Sequence, residues 1–542
     1  MSDVEGSFSR RSVLKGATLY AGMGAASSLS SVAWSTLAWS KEPARSTLAT
    51  TGLGKVRGTV KEGIHTFKGI RYGADTQARR FMPPLAPAAW KKTLDATGYG
   101  AASPQSGKET EPMSEDCLFL NVWTPGLRDG AKRPVMFYIH GGAYSHGSGS
   151  SPLYDGTRLC KRGDVVVVTV NHRLNAFGYL YLARLGGAPF ADSGNAGMLD
   201  LVMALQWVRD NIKEFGGDPD RVMLFGQSGG GAKIATLMGM PVARNLFHRA
   251  ATMSGQQVTA SGPLNATSRA RTLLDALKLP VDQVAQISTL PTEKILEAMS
   301  ATDPVIGKGG LYFGPVLDER TLQQHPFYPD APAICAHVPM IVGNTHDETR
   351  LLIGGSDPKD FSLSWEQLPD KLSANMRVDI TPETVVAAYR QMYPQYSASD
   401  IFFSATTAAR SWRGALIEVE ARAAQGSPAY AYELDWKSPL EGGKWGAPHT
   451  LDIPLVFDNI DKEGSLSGTS ADAQKVADQM SETFIAFART GDPNNKAIPK
   501  WEPYQLPRRQ TLLINTESKL GDDPRGKERE LFAKVPWIQQ GT

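Results

Sequence analysis

Cysteine is scarce in this chain: three in 542 residues, at Cys117, Cys160 and Cys335. They stand far apart, with no close pair and no zinc-ligand spacing, which argues against a disulfide framework and a structural zinc site. They read as buried thiols, the commoner state of free cysteine. A strong charge of either sign is also missing. Lys and Arg number 57 against 55 Asp and Glu, a net charge of +2. With the two signs interspersed, nothing favours nucleic acid or an acidic surface as partner. Internal repeats are absent, and no segment beyond the N-terminus is apolar enough to cross a bilayer. What remains is 41% hydrophobic and 21% charged, the composition of a globular protein with a large core.

The N-terminus has its own character. Ser9-Arg10-Arg11-Ser12-Val13-Leu14-Lys15 is followed by no charged residue until Lys41. The stretch between is rich in Ala, Gly and Ser, which makes a poor membrane span. Residues 1–40 resemble a twin-arginine export signal, with small-x-small sites ending at Ala33 and Ala38. The expectation is a periplasmic or secreted mature chain, residues 41–542, that does not insert stably into membrane. Export of an already folded protein fits a chain without a disulfide framework.

Short apolar runs then alternate with helical patterns. Val135–Ile139, Val165–Val170, Val222–Phe225 and Met340–Val342 read as strands buried on both faces. Ala429–Leu434 alternates small and aromatic residues, and Leu199–Val208 has helical spacing. Strand–helix–strand order predicts an α/β chain with a mostly parallel central sheet flanked by helices. Roughly residues 256–335 and 355–425 read as helical, loop-rich insertions that wall a pocket.

One junction carries chemistry. Val222–Phe225 runs into Gly226-Gln227-Ser228-Gly229-Gly230, and Gly231–Met238 reads as a helix. A serine between a strand and a helix sits on a sharp turn that exposes its hydroxyl beside a helix N-terminus. A nucleophilic serine needs a base, and His449, on a Gly- and Pro-containing loop after Ala429–Leu434, comes late enough in the chain. Asp347, Glu348 and Asp435 each follow a strand, and each could orient the imidazole. His140-Gly141-Gly142-Ala143, directly after Val135–Ile139, has the small residues that let backbone N–H groups reach a developing oxyanion. Gly229 supplies a further N–H.

With these motifs in place the chain resembles the type-B carboxylesterase family. The resemblance runs from Phe67–Tyr72 to Phe487–Gly491 and includes EDCLFLNVWTP, HGGAYSHGS, GQSGG, GNTHDE and GAPHTLDIPLVF. It implies an α/β-hydrolase fold acting on carboxylic esters without cofactor or metal. It implies Ser228 as nucleophile, His449 as base, Glu348 as acid, and Gly142, Ala143 and Gly229 as oxyanion donors. Ser254 matches a serine that supports the triad. Leu311, Tyr312 and Phe313 fall where the family forms its acyl side, although core packing would equally account for them.

The departures from the family are specific. Gln227 stands where the family has Glu, Gly229 where it has Ala, and Ala143 where it has a third glycine. Thr349 and Thr450 replace glycines after the acid and the base, and Ser103 replaces a cysteine that eukaryotic members pair with Cys117. The short loop before Cys117 holds no Trp to stack on choline. Loss of a carboxylate at Gln227 disfavours cationic substrates. The expected function is therefore hydrolysis of neutral, medium-sized or aromatic esters, with a small-molecule ester as partner. The alternatives are the same chemistry on an amide, carbamate or thioester, or a non-catalytic adhesion module. Nothing in the sequence sets the oligomeric state.

Overall fold

The computed structural model describes residues 47–107, 111–539 and 541; the expected export segment lies outside them. Fourteen strands occur among the described residues. In chain order they are β1 (Leu48–Thr51), β2 (Gly54–Arg57), β3 (Thr59–Lys61), β4 (Ile64–Arg71), β5 (Leu94–Asp95), β6 (Phe119–Thr124) and β7 (Arg133–Ile139). Then come β8 (Val166–Val170), β9 (Gly217–Gln227), β10 (Arg249–Met253), β11 (Met340–Thr345), β12 (Ala429–Leu434), β13 (Gln510–Ile514) and β14 (Lys519–Asp522). Eleven of them form one sheet in the order β14-β13-β12-β11-β10-β9-β7-β8-β6-β4-β3. From β8 through β7 to β13 every pairing is parallel.

The central strands are apolar on consecutive residues because both faces are covered. Val135, Phe137 and Ile139 of β7 join one core, while Met136 and Tyr138 join the core on the opposite face. Val222 and Leu224 of β9 divide from Met223 and Phe225 in the same way. Side chains on a strand alternate faces, so a run without polar residues is what two helical layers require.

β9 is longer than Val222–Phe225 because Gly217 also pairs, with Arg133 of β7, and the residues between Gly217 and Val222 form an irregularity in the register. The helix after the elbow begins at Gly229, not Gly231, and all ten of its residues through Met238 are buried. The three cysteines are buried and unpaired. No helix among the described residues is long and apolar enough to cross a membrane.

The chain crosses over at β7. β8 lies on one side of it and β9 on the other, so the two connections diverge and leave a crevice at the strands' carboxyl ends. Ile139 pairs with Gly226, which sets the His140 loop beside the Ser228 turn. Both expected insertions are helical. The first holds Pro263–Ala276 and Thr292–Ala298. The second holds Leu368–Asn375, Pro382–Met392 and a long helix broken near its middle. That break is a single π-turn, Ala408–Trp412.

Candidate active site

Ser228 caps β9 with φ 56° and ψ −124°, a region that side-chain-bearing residues rarely occupy. Its N–H donates to Met253 O at 2.7 Å, which anchors the turn to the end of β10. The turn is tight. A Cβ at Gly230 would lie 1.9 Å from Ile139 O, and one at Gly226 2.7 Å from the same oxygen. Only glycines allow helix, strand and loop to pass this closely.

Glu348 follows β11 and His449 follows β12, 101 residues apart. The His449 Nδ1–H donates to Glu348 Oε2. The other carboxylate oxygen accepts from Thr345 N at 2.9 Å and Asn344 Nδ2 at 3.2 Å. Glu348 is fully buried, which by itself would raise its pKa. The His449 charge and hydrogen bond oppose burial, joined by Ser254 and Thr345, and the net effect lowers it. Ser254 sits beside that carboxylate without an aligned bond to it, and its own N–H donates to Gly343 O at 2.7 Å.

Geometry separates the three acids that the residue pattern alone left open and among which the resemblance pointed to Glu348. Asp347 turns to His346 and to Ala447 N, and that pairing holds its carboxylate far below the usual range. Asp435 faces Glu433 and His346, where burial and the Glu433 charge raise it to about 7. Glu348 alone among them meets His449.

With its Nδ1 proton given to Glu348, the His449 ring presents Nε2 as an acceptor. The Gln227 amide nitrogen lies 3.1 Å from Nε2. Among the described residues no hydrogen bond joins the Ser228 hydroxyl to this ring. Ser228 and His449 do line one cavity of about 220 Å³, with Ala143, Gly229 and Ser254. Such contacts commonly tighten only when substrate binds.

The candidate oxyanion loop is equally constrained. Gly142 and Ala143 have φ of 82° and 51°, successive left-handed residues directly after β7. Gly229 opens its helix, so its N–H has no partner within the helix. A Cβ at Gly229 would lie 2.1 Å from Ala143 O and 2.4 Å from its Cα. The glycine at 229 thus matches the close approach of this loop. Thr450, after His449, has φ 75°, a conformation strained for a β-branched residue and open to glycine. Thr349 is buried and bonds through Oγ1 to Phe403 O at 2.8 Å, fastening the acid's helix to the second insertion.

Leu311, Tyr312 and Phe313 line a neighbouring cavity of about 720 Å³ that shares Ala143 and Tyr144 with the catalytic one. Leu311 and Phe313 are also core residues, and Tyr312 borders both cavities.

Four residues escaped the sequence reading. Asn344 holds Glu348 and also donates to Ser411 Oγ at 2.6 Å. Lys233, fully buried one turn into the elbow helix, donates to Ala143 O at 2.6 Å and to His140 O at 3.4 Å. Burial lowers its amine to about 7, and among the described residues no carboxylate pairs with it. Its one visible signal is a lysine among Ala232, Ile234 and Ala235 on a buried helix. Arg377 and Arg410, from the second insertion, line the catalytic cavity.

A crossover sheet with a serine elbow, a histidine–glutamate pair and a glycine loop at its carboxyl edge defines an α/β-hydrolase. The carboxylesterase family model matches residues 45–532, and the chain belongs to that family. It is 34% identical over 501 residues to para-nitrobenzyl esterase of Bacillus subtilis, covering 89% of this chain and 98% of that one. Phenmedipham hydrolase of Pseudarthrobacter oxydans is 31% identical over 494 residues, 87% and 95% of the two chains. The crystal structure of the Geobacillus stearothermophilus carboxylesterase superposes with a TM-score of 0.80 at 36% identity, covering 90% of this chain and all of that one. The protein is a carboxylic ester hydrolase.

Proposed function

We propose that the protein hydrolyses carboxylic esters through an acyl-enzyme formed on Ser228. Substrate entry displaces the Gln227 amide from His449 Nε2, and the Ser228 hydroxyl takes its place. His449 removes the hydroxyl proton as Oγ attacks the ester carbonyl, while Glu348 stabilises the imidazolium. The N–H groups of Gly142, Ala143 and Gly229 receive the oxyanion. His449 then protonates the leaving alcohol, and water resolves the acyl-enzyme by the same route in reverse.

The observation that carries this reading is the buried Glu348–His449 hydrogen bond at the edge of the cavity into which the strained Ser228 turn opens. Leu311, Tyr312 and Phe313 suit a medium-sized acyl or alcohol group with apolar or aromatic surface. A fluorophosphonate probe is expected to label Ser228, as read by peptide mapping, and Ser228→Ala to lose both labelling and ester hydrolysis. An adduct on another residue, or hydrolysis surviving in Ser228→Ala, would refute the assignment. The twin-arginine segment supports export, and cell fractionation with a Lys pair in place of Arg10 and Arg11 tests it: the variant should remain in the cytoplasm.

A further inference from the structure

We infer that the C-terminal segment forms one wall of the catalytic cavity, and that Gln539 on this wall limits the size of one of the two groups an ester carries. The inference rests on the Ser228 reading above and deepens it by naming a residue that sets substrate size.

The match to the carboxylesterase family model ends at residue 532, the last of the helix Gly526–Phe532. The segment beyond it returns to the active site and is seated there at several points. Trp537 pairs with Val378 in an antiparallel bridge, and Ile538 N donates to Arg377 O at 3.1 Å. The Trp537 indole N–H donates at 3.0 Å to the carbonyl of Ala409, on the π-turn Ala408–Trp412. Its ring lies against Gly414, where a Cβ would come within 2.9 Å of it. These contacts dock the segment on the second insertion.

The residues that follow dock it on the first. Val258 N donates to Gln539 Oε1 at 3.0 Å. Gly541 has φ 82°, and a Cβ there would lie 2.1 Å from the Tyr312 ring, so glycine is what this approach requires. Its carbonyl accepts from Arg269 Nη1 at 2.8 Å. Arg269 is buried and pairs with buried Asp303 at 2.7 Å, and Asp303 also accepts from Tyr312 N at 2.8 Å. A buried guanidinium is costly unless its N–H groups are bonded, so the Gly541 carbonyl belongs to a buried polar network.

This seating places Gln539 at a passage. The catalytic cavity, about 220 Å³, adjoins two larger ones. Through Ala143, Tyr144 and Tyr312 it meets the cavity of about 720 Å³. Through Arg377, Arg410 and Gln539 it meets another of about 660 Å³. An ester seated on Ser228 carries an acyl and an alkoxy group that leave the carbonyl carbon in different directions. One group can extend into each cavity, and the group directed to the second must pass Gln539. That side chain is only 9% exposed, and it cannot swing aside without leaving the buried Val258 N–H unpaired.

Matched esters show which group faces the wall. 4-Nitrophenyl decanoate is compared with 4-nitrophenyl butyrate for the acyl side, and biphenyl-4-yl acetate with phenyl acetate for the alcohol side, by pH-stat at neutral pH. In Gln539→Ala the large-to-small ratio of kcat/KM is expected to rise about tenfold over wild type, and at least about threefold, in one of the two pairs. Gln539→Met, which keeps the length but not the acceptor, should keep the wild-type ratio. Gln539→Phe fills the passage and should lower the same ratio by about threefold or more, which reads the contact should Gln539→Ala fail to fold. The inference is overturned if the change stays below about threefold in both pairs, or if Gln539→Met moves the ratio as Gln539→Ala does, since the Val258 bond rather than size would then be responsible. Ser228→Ala, run alongside, separates the failures. Hydrolysis persisting there removes the serine-esterase reading itself, whereas a dead Ser228→Ala with unmoved ratios removes only the role of Gln539.

Discussion

The Lys233 ammonium donates to the Ala143 carbonyl oxygen at 2.6 Å from inside the helix that begins at the Ser228 turn. One side chain thus joins the helix that begins after Ser228 to the Gly142–Ala143 loop. It lies beside His140, His172 and the Tyr144 ring, under the loop proposed to receive the oxyanion, with no carboxylate partner among the described residues. Burial and Lys233 push His140 down to about 3, so that ring is neutral and packs as a flat surface against His172.

Lys233→Met should lower kcat by on the order of tenfold with KM less affected. The loop loses its anchor while the donors remain, a smaller effect than removing a donor outright. Stability gives a second readout. The unfolded chain keeps this proton up to about pH 10.5, and the folded chain releases it near 7. Between those values the unfolded state binds more protons, so this residue makes the wild type more stable as pH rises. Urea unfolding at pH 7 and 9.5 should show that gain in the wild type and its loss in Lys233→Met; equal slopes would contradict the buried amine.

Glu418→Gln should act in the opposite direction. One oxygen of Glu418 accepts from Gln257 N at 2.7 Å, and the other has no partner. Burial raises it to about 8 from 4.5, so the folded state binds more protons between those values and stability is lost as pH rises through them. The amide keeps the Gln257 contact and carries no charge. The variant should match the wild type near pH 4.5 and exceed it above pH 8 by ~1 kcal/mol or more. Thermal melts across this range would test the sign.

Gly229→Ala would introduce a methyl where Ala143 O and Cα already stand, at 2.1 and 2.4 Å. The loop must shift, and a displaced donor should lower kcat on the order of 10²–10³-fold, about 2.7–4 kcal/mol. Steady-state kinetics on a neutral nitrophenyl ester measures it. An unchanged kcat would show that the loop tolerates displacement and that its present position is not needed for turnover.

Glu348→Gln keeps the size of the side chain but removes the acceptor that fixes the His449 tautomer. A loss in kcat on the order of 10³–10⁴ is expected, with thermal stability monitored to separate chemistry from folding. Asp435→Asn should leave kcat within about twofold, because Asp435 belongs to the Glu433–His346 group rather than to His449. A large loss there would reopen the choice of acid.

Much of the scaffold is legible in the chain itself. The Ala429–Leu434 strand has the bounds read from its alternation, and Arg133–Ile139 and Val166–Val170 differ by two residues or fewer. These runs are local signals, set by burial on both faces. The start of β9 at Gly217 is not such a signal, because it comes from a pairing with Arg133 across a register shift. The acid shows the same limit. Asp347, Glu348 and Asp435 all follow strands, so the residue pattern alone leaves the acid open; the family resemblance points to Glu348, and the fold shows its carboxylate meeting His449.

The sequence by itself determined the sheet's buried strands, the glycine-flanked serine turn, the small-residue loop after β7 and the family to which the chain belongs, because each depends on neighbouring residues and on steric rules of the backbone. The tertiary structure alone decided that Glu348 faces His449, that Gln227 meets Nε2, that Lys233 holds Ala143, and that Arg377 and Arg410 share a cavity with Ser228. Those are contacts between distant segments, and their energy depends on burial and distance, which no local pattern of residues encodes.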